Sequence, residues 1–158
     1  MAANPNTTFS AGAVLTAAQM NRLPWGVVGY QQLTTVFNTA ATHTTYQDTG
    51  LTLTMTLNTS RLYKWTVIGN PYPSGGQQGI VYRLVEGSTG KLVWNLASAS
   101  LETGASMAVT LSGYYIPSSS SSTTYKIQMK ASAANTTVSD YGATDQPRQF
   151  IVEDMGPN

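Results

Sequence analysis

Leu51-Thr52-Leu53-Thr54-Met55-Thr56-Leu57 is the stretch that decides the fold class of this chain. Its apolar residues fall on every second position. Side chains alternate across a strand, so Leu51, Leu53, Met55 and Leu57 share one face and Thr52, Thr54 and Thr56 the other, which predicts a half-buried β-strand. The same period continues downstream. In residues 62–68 (LYKWTVI), Tyr63, Trp65 and Val67 lie opposite Lys64 and Thr66. Residues 70–79 (NPYPSGGQQG) read as a Pro- and Gly-rich turn or loop. Residues 80–86 (IVYRLVE) and 91–96 (KLVWNL) flank a tight turn at 87–90 and predict a hairpin. A further strand is predicted over 106–116, with Met107, Val109 and Leu111 on one side. Pro117 and the serines of 118–122 then form a low-complexity loop. Tyr125, Ile127 and Met129 alternate with Lys126, Gln128 and Lys130, and a last strand spans 149–153, ahead of Asp154-Met155-Gly156-Pro157. About eight short strands at regular spacing predict an all-β fold, an antiparallel β-sandwich of jelly-roll type.

Upstream of these strands, residues 9–30 (FSAGAVLTAAQMNRLPWGVVGY) contain the only helix-like segment. Thr16 can cap a helix, with Gln19 three residues on to complete a capping box. Pro24 disfavours a helical Leu23, and Trp25-Gly26 then begins something extended. A helix of one or two turns presenting Val14, Leu15 and Met20 is not stable alone in water. It must lie on the following domain or on another subunit. The chain therefore divides into an arm with a short helix, residues 1–30, and a β-sandwich domain, residues 31–158. Val14, Leu15, Met20, Leu23 and Trp25 are the candidate docking residues. Burying each large aliphatic side chain is worth about 1.5–3 kcal/mol. Trp25 is the strongest choice, because Trp is enriched among residues that dominate interface energy. The alternative is that these residues cap the sandwich of their own chain.

Composition narrows the function classes. At 158 residues the chain is large enough for one core, and only 9% of it is charged against 41% hydrophobic. Its polarity comes from Ser, Thr, Asn, Gln and Gly, a surface that is easily desolvated against a partner. The net charge is +1 and the eight Lys and Arg are scattered, so nucleic acid is not an expected partner. Zero cysteines exclude disulfides and thiolate metal sites. The opening MAANPNTTFSAG has neither a basic nor an apolar signal region, and no run approaches a membrane-spanning length. Neither a Sec signal nor membrane insertion is expected.

Catalytic chemistry has little support. His43 is the only histidine, it sits in a polar stretch, and no G-x-S-x-G elbow accompanies it. Glu153 and Asp154 are neighbours that a strand would point to opposite faces, and Glu86, Glu102, Asp140 and Asp145 show no spacing that pairs them. Asp140, Asp145 and Asp154 offer oxygen ligands for calcium, but loop acids are ordinarily turn formers or solvated charges. No enzyme activity, cofactor or bound metal is expected. Trp65, Tyr82 and Trp94 fall within strands, where core packing is the ordinary role. Tyr72 and Tyr141 lie in loops and are the candidate glycan contacts. Asn6, Asn58 and Asn135 head glycosylation sequons, which matter only in a eukaryotic secretory pathway that this chain does not signal.

Three phrases carry a family resemblance. Phe9 through Asn21 (FSAGAVLTAAQMN) is similar to the "aG-x-vLTAa-x-lN" arm that opens many phage tail and fibre proteins. Leu23 through Gly29 (LPWGVVG) resembles the "PWGvvg" that often follows it, and Phe150 through Pro157 (FIVEDMGP) resembles an "l-x-VeDlG" ending. The chain thus resembles small virion structural proteins of tailed bacteriophages, especially those infecting actinobacteria. The resemblance implies a non-enzymatic building block of the virion, assembled in the bacterial host cytoplasm and often trimeric. Its arm would dock on another virion protein while the sandwich projects. A minor tail (tail-tip) component is the first expectation, and a capsid decoration protein docked on the major capsid protein the second. A carbohydrate-binding adhesin that contacts host-surface glycan is the further alternative. There is no collagen-like tract and no heptad repeat, so a compact knob is expected in place of a fibre shaft.

Overall fold

The computed structural model describes residues 14, 16–21, 23–38, 45–73, 78–87, 90–101, 107–132 and 137–158. One helical turn, α1 (Ala17–Met20), precedes eleven strands among these residues. They are β1 (Gly26–Leu33), β2 (Phe37–Asn38), β3 (Gln47–Thr56), β4 (Arg61–Gly69), β5 (Pro71–Pro73) and β6 (Gln78–Glu86). They continue with β7 (Lys91–Leu101), β8 (Val109–Tyr115), β9 (Ser122–Ala131), β10 (Val138–Asp140) and β11 (Arg148–Pro157). The strands build two four-stranded antiparallel sheets, β1-β11-β4-β8 and β3-β9-β6-β7, and a small sheet, β2-β10-β5.

The period-2 pattern produces the core directly. Tyr63, Trp65 and Val67 of β4 and Phe150 and Val152 of β11 pack with Leu51 of β3, Ile80, Tyr82 and Leu84 of β6, and Tyr125, Ile127 and Met129 of β9. All lie in one buried cluster. Trp65 is its centre, with its ring 4.8 Å from Tyr125, 5.7 Å from Phe150 and 6.1 Å from Tyr115. Two devices close the open sides of the sandwich. Trp94, on edge strand β7, lays its ring over Gly113 of edge strand β8, where a Cβ would overlap the ring. On the other side, Gln31 of β1 accepts a hydrogen bond from the Thr52 N–H of β3 through its side-chain oxygen.

Several expectations are corrected. Residues 71–73, read as loop, form β5. This sits at an edge of the small sheet, where a strand tolerates proline, because Pro71 and Pro73 have no N–H to donate. The strands β2 and β10 that complete that sheet are too short to carry a visible period. The last strand runs through Pro157 and lies between β1 and β4, because a register shift between Asp154 and Gly156 lets it continue past the turn-like DMGP. Residue 30, the expected arm boundary, falls inside β1, which pairs with β11 from Gly26 to Leu33. Trp94 is 36% exposed, as its edge position requires. Met107 lies outside β8 and is exposed.

The connections divide by end. Residues 57–60, 87–90 and 116–121 link strands at the end where β1 enters and β11 finishes. The connections between strands at the other end are longer, and of them residues 34–38, 45–46, 70–73, 107–108, 132 and 137–147 are described and carry the small sheet. Short turns gather at one end and long connections at its opposite.

Candidate functional site

The arm is gripped at the short-turn end by one guanidinium. Arg61, the first residue of β4, is 4% exposed and faces Asp154 of β11, which is 1% exposed. Its Nε donates to Asp154 Oδ2 at 2.5 Å and its Nη2 to Oδ1 at 2.7 Å, a two-pronged pair that suits the planar fork. The remaining donors reach the arm: Nη1 to the Asn21 carbonyl and Nη2 to the Leu23 carbonyl, each at 2.6 Å. The Trp25 ring then lies over the guanidinium carbon at 4.2 Å, a cation–π contact. Upstream, α1 is held by Met20 N–H to Thr16 O and Asn21 N–H to Ala17 O, both 3.0 Å. Asn21, Trp25, Asn58, Ser60, Arg61 and Pro157 line a cleft of about 240 Å³ at this end.

Of the expected docking residues, Val14 is 91% exposed, Met20 56% and Trp25 58%, while Leu23 is half-buried. Leu15 lies outside the described residues. These side chains present apolar surface to solvent although the backbone between them is fastened. The outer face of β1-β11-β4-β8 continues that surface. Val27, Tyr30 and Tyr114 are exposed there, and the Lys64–Glu153 pair, 3.1 Å apart, neutralises its own charge. The outer face of the other sheet is polar. Thr54 and Thr124 join hydroxyls at 2.7 Å, Lys126 pairs with Asp48 at 2.8 Å, and Tyr46 is covered by Arg83 at 3.8 Å and Lys130 at 4.9 Å.

The long-connection end holds a second buried cluster. Asp140, fully buried in β10, accepts the Asn70 N–H at 2.7 Å and lies 3.7 Å from Arg148 Nη1. Arg148 donates to the Thr49 carbonyl at 2.8 Å and the Thr35 carbonyl at 3.0 Å, tying β11 to the ends of β1 and β3. Burial pushes the Asp140 carboxyl up to about 6, against the lowering effect of the Asn70 N–H and Arg148. Burial and then the Asp140 charge push the Tyr82 phenol well up. Desolvation lowers the Arg148 guanidinium, with Asp140 opposing it.

Above this cluster the structure joins the two candidate glycan residues. Tyr72 and Tyr141 meet edge-to-face, centroids 5.7 Å apart at 80°. They are 69 positions apart in sequence and are brought together by the β5–β10 pairing, Tyr72 opposite Ser139. The acids read as calcium ligands do not converge. Asp140 and Asp154 face separate arginines at opposite ends, and Asp145 is exposed. Glu153 and Asp154 do point apart, one half-exposed on Lys64 and the other buried on Arg61. His43 and Glu102 lie outside the described residues. Among the described residues no group of three or more His, Cys, Asp or Glu could hold a metal, and no helix is long and apolar enough to cross a membrane. Arg61 and Arg148 went unmarked in the sequence. Each sits at the first position of a strand, where an arginine reads as a solvated end.

No protein-family model matches this chain, and no curated protein matches it. Among solved structures, a chain of the T13 particle of infectious bursal disease virus is 10% identical with a TM-score of 0.48, over 82% of this chain and 36% of the viral one. The EclA C-terminal domain, a sugar-binding protein, is 22% identical with a TM-score of 0.38, over 70% of this chain and 73% of that domain. The CBM22-1 and GH10 modules of Clostridium thermocellum xylanase Xyn10B are 12% identical with a TM-score of 0.37, over 87% of this chain and 29% of theirs. This chain therefore spans little more than a third of the viral chain's length.

Proposed function

We propose that this chain is a non-enzymatic virion structural protein, held by its opening segment and projecting its opposite end. The observation that carries the reading lies along one strand. Arg61 grips the arm at the start of β4, and Gly69 enters the long connections at its end. Eight residue steps separate them by about 26 Å. A domain with apolar anchors at one pole and its longer connections at the other suits a subunit that docks and displays. Numbered 1 to 8 in chain order, the eight long strands (β1, β3, β4, β6, β7, β8, β9 and β11) form sheets of order 1-8-3-6 and 2-7-4-5, which supports a jelly roll.

The arm phrases favour a tail address, so a minor tail component of a tailed phage is the first form of the proposal and a capsid decoration protein the second. The docking partner is another virion protein, engaged by Val14, Leu15, Met20, Leu23 and Trp25. The neutral, tyrosine-bearing outer face of β1-β11-β4-β8 supports self-association, proposed as a homotrimer, which native mass spectrometry would count. The decisive experiment locates the protein on purified particles with gold-labelled antibody and repeats it for Met20→Asp and Trp25→Ala. The expected result is label at one virion address, lost in variants that stay folded, Met20→Asp melting with the parent and Trp25→Ala within about 4 °C of it. Unlabelled particles, or variants incorporated as well as the parent, overturn the reading.

A further inference from the structure

We propose that the Tyr72–Tyr141 pair and the turn beside it form a binding platform for a neutral sugar. This is a second function, at the end opposite the arm. The two rings are not a by-product of core packing. Tyr141 is 43% exposed and Tyr72 half-exposed, and neither belongs to the core cluster. Standing at 80° to one another, they offer an angled aromatic corner to solvent. The apolar C–H face of a pyranose ring matches such a surface, and a tyrosine gives large contact area with few torsions to freeze.

The corner is built rigidly. Tyr72 is held in β5 between two prolines and paired with Ser139. The Tyr141 N–H donates to the Asn70 carbonyl at 3.0 Å, and Asn70 Nδ2 donates back to the Tyr141 and Gln146 carbonyls at 3.3 and 3.4 Å. Ala143 and Gln146 exchange backbone hydrogen bonds at 3.1 and 3.2 Å, closing the turn. Gly142 packs directly on the Leu33 and Thr35 carbonyls, where a Cβ would collide. Beneath, the buried Asp140 fixes the Asn70 N–H. A site fastened this fully loses little entropy on binding.

The polar groups set the ligand class. Thr144, Asp145 and Gln146 are exposed on the turn that carries Tyr141. A carboxylate accepts hydrogen bonds from adjacent hydroxyls, and an amide both donates and accepts, which is the equipment for reading a polyol. The nearby arginine, Arg148, is buried against Asp140. An exposed carboxylate with its local cation buried favours an uncharged sugar over an acidic one.

The test titrates the full-length protein with cellohexaose, maltohexaose, mannohexaose and chitohexaose, with a hexagalacturonate as the acidic control, up to about 10 mM. Amide NMR follows Tyr141 N–H and Asn70 Nδ2. Saturable shifts at these groups with at least one neutral probe are expected. Tyr141→Ala and Tyr72→Ala should each weaken binding by about tenfold at unchanged melting temperature, and Tyr141→Phe by less than about threefold. Should the alanine variants lose stability, Tyr141→Phe and Asp145→Asn carry the test, the second weakening neutral binding and narrowing the preference over hexagalacturonate. Absence of saturable shifts with every neutral probe, binding that survives both alanine changes, or preference for the acidic probe overturns the proposal.

Discussion

Replacing Arg61 by methionine tests the arm tether most directly. The change takes both guanidinium donors from the Asp154 carboxylate, 1% exposed, which keeps the hydrogen bond from the Gly156 N–H at 2.8 Å. Breaking a buried ion pair from one side costs about 3–5 kcal/mol, because the remaining charge keeps its desolvation penalty. The Asn21 and Leu23 carbonyls also lose their donor, at about 0.5–1.5 kcal/mol each, partly recovered by water at this exposed segment. The stacking of Trp25 on the guanidinium adds about 0.5–1 kcal/mol. A loss of about 4–6 kcal/mol is expected, a large share of the roughly 5–15 kcal/mol that holds a domain together. At about 2–4 °C per kcal/mol for a chain of this length, the melting temperature should fall by about 10–20 °C.

Two companion variants separate the pair from the tether. Arg61→Met with Asp154→Asn removes the orphaned charge and should regain about 1–3 kcal/mol over the single change. Arg61→Lys keeps a cation beside Asp154 but lacks the fork that reaches both arm carbonyls. It should therefore release residues 20–25 with a smaller loss of stability. Denaturant melts measure the first effect, and amide exchange at Leu23 and Trp25 measures the second. A single variant that melts within about 2 °C of the parent, or unchanged protection at those amides in all three proteins, refutes the reasoning.

Three further outcomes are expected. The Asp140 carboxyl sits at about 6 against an ordinary 3.8, so the folded chain binds this proton more tightly than the unfolded one. The stabilisation from that proton is complete below about pH 4 and is lost as pH rises through about 6, a span of roughly 3 kcal/mol. Denaturant midpoints should be higher at pH 5 than at pH 7.5, and Asp140→Asn should flatten the profile; an unchanged slope in the variant removes this account. Gly113→Ala forces the Trp94 ring off β8 and should cost about 1–3 kcal/mol, with the added Trp94→Ala recovering most of it, and strict additivity of the two would count against ring contact. Trp65→Ala should cost about 3–5 kcal/mol by calorimetry or denaturant melt, since its ring joins Tyr115, Tyr125 and Phe150; a cost under 1 kcal/mol would displace it from the centre of the core.

Legibility from sequence followed the length of the signal. Seven residues of strict alternation at 51–57, and the runs at 62–68 and 125–130, marked strands whose buried faces are those expected. A three-residue strand such as Pro71–Pro73 carries no period, and its prolines argue for a loop; only the partner β10 makes it a strand. Trp94 looked like a core residue because a strand sequence does not say whether the strand lies at an edge. Tyr72 and Tyr141 each stand out singly by their place beside Pro and Gly residues, and their meeting is not readable in the sequence, because 69 positions separate them. Arg61 reads in the sequence only as one of the scattered cations, and Asp154 as a loop acid.

The sequence by itself determined that this chain is all-β, since side-chain alternation is a local property that each segment declares alone. It also determined the apolar character of the opening arm and the near-absence of net charge. Only the tertiary structure decided which strands are neighbours, which arginine holds the arm, and which end carries the tyrosine corner. Those facts depend on contacts between residues tens of positions apart. Such contacts come from the arrangement that buries both sheet faces and sets the buried Arg61 and Arg148 against Asp154 and Asp140.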